Sequence, residues 1–126
     1  MSKKLLFSTC LAIGVSASQA MAADCTAPEK PTMPDGATAS MEAMLAGQKA
    51  VKAFQAENMD YMKCLEDAFN TAKSDAKDES DTAKRALAET NYRNSVEAYN
   101  AAVSAEEEIA GAFNVELRAY KAANAN

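Results

Sequence analysis

The chain has 126 residues and a formal net charge of −5, with 48% hydrophobic and 25% charged residues, which fits one small domain. It contains no His and no Trp. That removes the usual general base, the commonest metal ligand and the His-based catalytic triads.

The first 23 residues read as a secretory signal peptide. Lys3 and Lys4 are followed by an apolar run of 11 residues, Leu5 to Val15, and then by small residues ending in Ala20-Met21-Ala22. A run of 11 is too short for a bilayer, which needs about 20. Cleavage after Ala22 or Ala23 fits best, with Ala20 as the alternative. Asp24 stands before Cys25 where a lipoprotein signal wants a small residue. Removing residues 1–23 takes Lys and Arg from 13 to 11 and leaves Asp and Glu at 18, so the net charge becomes −7. An acidic exported chain is poorly suited to nucleic acid or to anionic lipid. No second apolar run follows, so no transmembrane segment is expected in the mature chain. The expected location is the periplasm, or outside the cell.

Cys10 leaves with the signal, and Cys25 and Cys64 remain. In an oxidising compartment an even pair reads first as a disulfide. A redox or metal pair is the alternative, and the absence of C-x-x-C spacing disfavours it.

Residues 24–38 form the next unit. Pro28, Pro31 and Pro34 recur every third residue, which puts their rings on one edge of a polyproline II rod. Asp35-Gly36 then turns the chain. Thr38 or Ser40 can cap a helix that has Glu42 in its first turn.

Residues 39–126 are predicted to be all-α, a two-helix antiparallel hairpin with helices over about 39–76 and 81–122. From Asp24 onward 24 of 103 residues are Ala, which favours helix over sheet and lets helices approach closely. On the first helix one stripe runs through Met41, Met44, Val51, Asn58, Met62, Leu65, Phe69, Ala72 and Ala76, with Gln48 and Gln55 interrupting it. A second stripe carries Gly47, Ala50, Phe54, Glu57, Tyr61, Cys64 and Ala68. On the second helix the clearest stripe is Tyr92, Val96, Tyr99, Val103, Glu106, Ala110, Phe113, Leu117 and Tyr120. Leu87, Asn91, Asn94, Ala98, Ala102, Ala105, Ile109 and Ala112 flank it. Between the helices Lys73 and Lys77 give way to Asp78, Glu79 and Asp81, which marks one helix end and the next helix start, with Asp78 or Ser80 as the cap. One continuous helix is the alternative, but it would leave both apolar stripes in water.

Length arithmetic ties the rod to the first helix. Residues 40–64 rise roughly 36 Å as helix. Residues 25–40 span roughly 46 Å as polyproline II. The rod can therefore fold back along the helix, bring Cys25 to Cys64, and pack Pro28, Pro31 and Pro34 over Ala50, Phe54 and Tyr61.

The pattern Pro28-x-x-Pro31-x-x-Pro34-Asp35-Gly36 followed by Met41-Glu42-Ala43-Met44 resembles, by spacing, the rod–turn–helix of the pancreatic polypeptide hormones across residues 28–54. The resemblance implies a proline rod packed on an amphipathic helix, and no function is carried over. The whole chain resembles small exported helical proteins of Gram-negative bacteria that combine a Cys, a Pro-rich stretch ending in P-D-G and a second Cys in the helix. That resemblance implies a periplasmic helical protein and brings no activity.

Candidate chemistry is sparse. Met41/Met44 and Met59/Met62 are M-x-x-M pairs, and thioethers bind soft Cu(I). Met also fills irregular gaps between helices. Glu106, Glu107 and Glu108 and the acidic tip read as solvated surface, without calcium-loop spacing. No nucleophile–base pair, phosphate loop or zinc spacing is present. The expected function is therefore non-enzymatic: an exported interaction or structural module, self-associating or holdase-like, with no cofactor. Its partner would be itself or another envelope protein, met through Tyr92, Val96, Tyr99, Val103, Phe113, Leu117 and Tyr120. The alternative is periplasmic Cu(I) binding through Met41, Met44, Met59 and Met62.

Overall fold

The computed structural model describes residues 25–125, and the signal peptide expected over 1–23 lies outside them. Two helices account for most of the chain: α1, Met41–Asp78, and α2, Thr82–Ala123. They pack on each other as the predicted hairpin, with no strand among the described residues. Ser40 caps α1, its side chain accepting from the Ala43 amide, while Thr38 serves the preceding turn by donating to Asp35 Oδ2 at 3.0 Å. α1 runs through Lys77 and Asp78, two residues past the expected end.

The reversal contains neither Gly nor Pro. Its helix cap is Asp81, not Asp78 or Ser80 as the charge pattern predicted. One carboxylate oxygen of Asp81 accepts from the Ala83 and Lys84 amides at 2.9 and 3.1 Å. Glu79 secures the other side: its carboxylate accepts from the Asp81 amide at 2.8 Å, and its carbonyl accepts from Arg85 Nε at 3.2 Å. Such caps satisfy amides and carbonyls that a helix end leaves open, so charged side chains make the turn where a special backbone residue was absent.

The seam between the helices is a heptad row on each. On α1 the buried positions Val51, Asn58, Leu65 and Ala72 recur every seven residues. On α2 Ala88, Ser95, Ala102 and Ile109 do the same. The two rows are mirror images about Ser80, lying 8, 15, 22 and 29 positions to either side. One contact fixes that register directly: Asn58 Nδ2 donates to the Ala102 carbonyl at 2.9 Å, with Glu106 Oε2 a second, longer acceptor at 3.4 Å. Asn58 is 1% exposed, and a buried amide that can be satisfied at one partner position selects one alignment of two helices. Ser95, 2% exposed, has no partner for its hydroxyl.

Residues 25–36 form a third layer, here called the strap. Cys25 is bonded to Cys64, with their Cα atoms 5.8 Å apart. At the other end Pro34 lies against Gly47. Nine residue steps of the strap therefore pass 17 steps of α1, about 26 Å of helix, or about 2.8 Å per step. That pace is close to the about 3.1 Å of polyproline II, as the proline spacing predicted. The strap reaches α2 as well as α1. Lys30 pairs with Glu108 at 2.7 Å, and the Gly36 amide donates to Glu116 Oε2 at 2.8 Å. The strap thus seats in the groove between the helices, and an apolar cluster lies beneath its Pro34 end. Met44, Val51, Phe54, Ile109 and Phe113 form it, with Met33 of the strap, Leu117 and Tyr120 packed around them. Two alanine-rich helices alone have few large side chains for a core, and the strap supplies the missing layer.

Candidate functional site

A ribbon of two helices has two broad faces, and the strap covers one. Successive helical residues turn by about 100°, which sorts the side chains by face. On α1 Gly47, Phe54, Tyr61 and Cys64 fall on the strap side of the heptad row. Met41, Leu45 and Met59 fall on the other side, and they are 62%, 58% and 63% exposed. On α2 Ala98, Ala101, Ala105 and Glu108 lie toward the strap. Tyr92, Tyr99 and Val103 lie away from it.

The stripe expected to meet a partner is largely occupied by the hairpin itself. Phe113 is buried in the apolar cluster, and Leu117 and Tyr120 pack against that cluster. Tyr92 and Tyr99 both meet Phe69 edge-on, at centroid distances of 6.2 and 6.0 Å. Val96 is half-buried. Of the seven residues only Val103 is exposed. This placement has a simple cause. Periodicity follows large side chains, whereas the line of closest approach on α2 is held by Ala88, Ser95 and Ala102, which carry almost no hydrophobic signal. The large residues beside that line close the seam rather than face solvent.

The strap residues and their expected neighbours on α1 are placed as follows. Pro28, Phe54 and Tyr61 line one cleft, with Ala98, Ala101 and Ala105 of α2 across from them. Pro31 and Ala50 are half-buried. Gly47 was missing from that set. A Cβ on it would stand 2.8 Å from Pro34 Cδ and 3.2 Å from Phe113 Cε2, so the strap and Phe113 both approach α1 through the space that a side chain would fill. Gly111, by contrast, faces open space. The two glycines therefore predict opposite outcomes. Gly111→Ala should stabilise by about 0.5–1 kcal/mol through helix propensity. Gly47→Ala gains the same propensity but must displace a rigid proline ring, which costs about 1–3 kcal/mol, and the net effect is a loss. Urea denaturation of the two variants checks the pair of signs.

The methionine pairs differ in how the fold places their members. Met44 is 4% exposed and sits in the apolar cluster, whereas Met41 three residues away is 62% exposed. The pairs are 18 residues apart along α1, about 27 Å. Among the described residues no group of three or more His, Cys, Asp or Glu side chains converges to hold a metal ion. Glu106, which interrupts the α2 stripe, is half-buried and turned toward Asn58. No described helix is long and apolar enough to cross a membrane. No family model matches this chain, and no curated protein or solved structure is similar to it at a significant level.

Proposed function

We propose that the chain is a non-enzymatic structural module of the cell envelope that pairs with a second copy through the face opposite the strap. The observation that carries this reading is the placement of Met41, Leu45, Met59 and Val103, four exposed apolar side chains on one uncovered face. Exposed apolar groups collected on one side of a helix pair favour a further helical layer. The polar residues among them, Gln48 and Gln55, would set the register of that layer, as Asn58 does within the hairpin. The envelope location rests on the pattern of Lys3, Lys4 and the apolar run that follows. A holdase is the nearest variant, since flexible Met side chains adapt to varied apolar clients. Cu(I) binding is the less favoured reading, because Met44 is committed to the core.

Light scattering after size exclusion tests the pairing. A dimer fraction that rises with concentration, and that Met59→Glu with Val103→Glu abolishes while leaving the helical signal intact, is the expected result. A strict monomer at every concentration would reject it.

A further inference from the structure

The groove that holds the strap does not end where the strap ends. Beyond Cys64 it continues toward the tip as an open trough of two adjoining hollows that share Ala72, Asp75 and Asn91. Its floor is made of small residues, Ala68 and Thr71 of α1 and Ala88 of α2 among them. One large apolar side chain, Leu87, stands in its wall at 54% exposed. The remaining walls carry Asp67, Asp75, Asp78 and Glu79 against a single cation, Lys84. Among the described residues none of these carboxylates is in an ion pair.

The strap itself shows what this groove accepts. It is an extended chain whose proline ring lies on a small residue of α1, Gly47, and whose lysine reaches a carboxylate of α2, Glu108. Among the described residues nothing lies over the other half, which repeats those components: small residues on the floor and carboxylates on the walls. We propose that it docks an extended, basic, proline-containing segment of another protein, laid end to end with the strap. From Cys64 to Asp78 the trough is about 21 Å long, which about seven residues of polyproline II would fill. Such a segment lies in its bound conformation with little ordering cost, and prolines against shallow apolar grooves are an established mode of peptide recognition. Leu87 supplies the apolar contact, and the carboxylates select lysine or arginine. This site is separate from the face proposed for pairing and stands or falls independently of it.

The test is a titration of the oxidised, ¹⁵N-labelled chain, residues 24–126, with the peptide acetyl-Lys-Pro-Ala-Lys-Pro-Ala-Lys-amide. Amide shifts should move along the trough, at residues 64–79 and 84–91, and should fade as salt is added. Glutamate in place of each lysine of the peptide should abolish them. Asp67→Asn with Asp75→Asn removes two charges at exposed positions and should weaken the titration about fivefold. Leu87→Ala should weaken it with the net charge unchanged. No shift at millimolar peptide would overturn the proposal. So would shifts spread over the whole acidic surface, or shifts equal for the lysine and glutamate peptides. A trough already filled by a second copy, seen as concentration-dependent shifts at the same residues without peptide, would overturn it too.

Discussion

Replacing both bridge cysteines, Cys25→Ser with Cys64→Ser, should lower the stability of the folded chain by about 4 kcal/mol. The bridge joins positions 39 residues apart. Loop-closure entropy for a ring of that size gives about that figure. The rest of the strap cannot replace the lost constraint. Its single ion pair, Lys30–Glu108, joins side chains that are 52% and 66% exposed, and such pairs contribute little. Without the bridge the Cys25 end should fray back toward Pro34 and uncover Tyr61 and the edge of Phe54. The double variant is the right comparison, because either single change leaves a thiol free to cross-link two copies. Urea denaturation of the oxidised wild type against the double variant measures the difference. Reduced wild type should reproduce the variant within about 1 kcal/mol. A loss below about 1 kcal/mol would mean that the strap docks by its own contacts.

The strap was the most legible part of the chain, and the reason lies in the residues that form it. Proline every third position has one geometry that uses it, and a cysteine at each end of the path makes the length testable. The hairpin was legible in outline for a similar reason: Met44, Val51, Leu65, Ile109 and Phe113 recur at helical spacing. What could not be read was the line along which α2 meets α1. Ala88 and Ser95 hold that line because they are small, and periodicity weighted by hydrophobicity passes over small residues. The clearest stripe on α2, through Tyr92 and Tyr99, lies about 40–60° round the helix from that line. The mirror relation of the two heptad rows was present in the numbering from the start. Finding it required the position of the turn, and Asp81 marks that turn only by capping.

Gly36 illustrates the same gap between a residue's usual role and its actual one, and Gly36→Ala carries the second large effect. A glycine after Asp in a turn is ordinarily read as backbone freedom. Here its φ lies outside the left-handed region, so an alanine could adopt the backbone. What it could not do is fit. A Cβ at Gly36 would overlap the carbonyl oxygen of Glu116, and the Glu116 carbonyl carbon and Cα would stand 2.7 and 3.0 Å away. These are backbone atoms of α2, two turns inside its C-terminal end, and no rotamer change moves them. The turn must lift instead. Lifting breaks the 2.8 Å bond from the Gly36 amide to the Glu116 carboxylate, and bonds to charged groups contribute about 1.5–3 kcal/mol. It also draws Pro34 away from Gly47 and Met33 away from the cluster. The expected loss is about 3 kcal/mol, which for a domain of this size lowers Tm by roughly 12 °C or more. Glu116→Gln keeps an acceptor but removes its charge, and should cost about 1 kcal/mol alone. In the Gly36→Ala background it should cost nothing, because the bond is already gone. Thermal unfolding of the four proteins closes the cycle. Additive losses would show that Gly36 and Glu116 act separately and that the turn is held elsewhere.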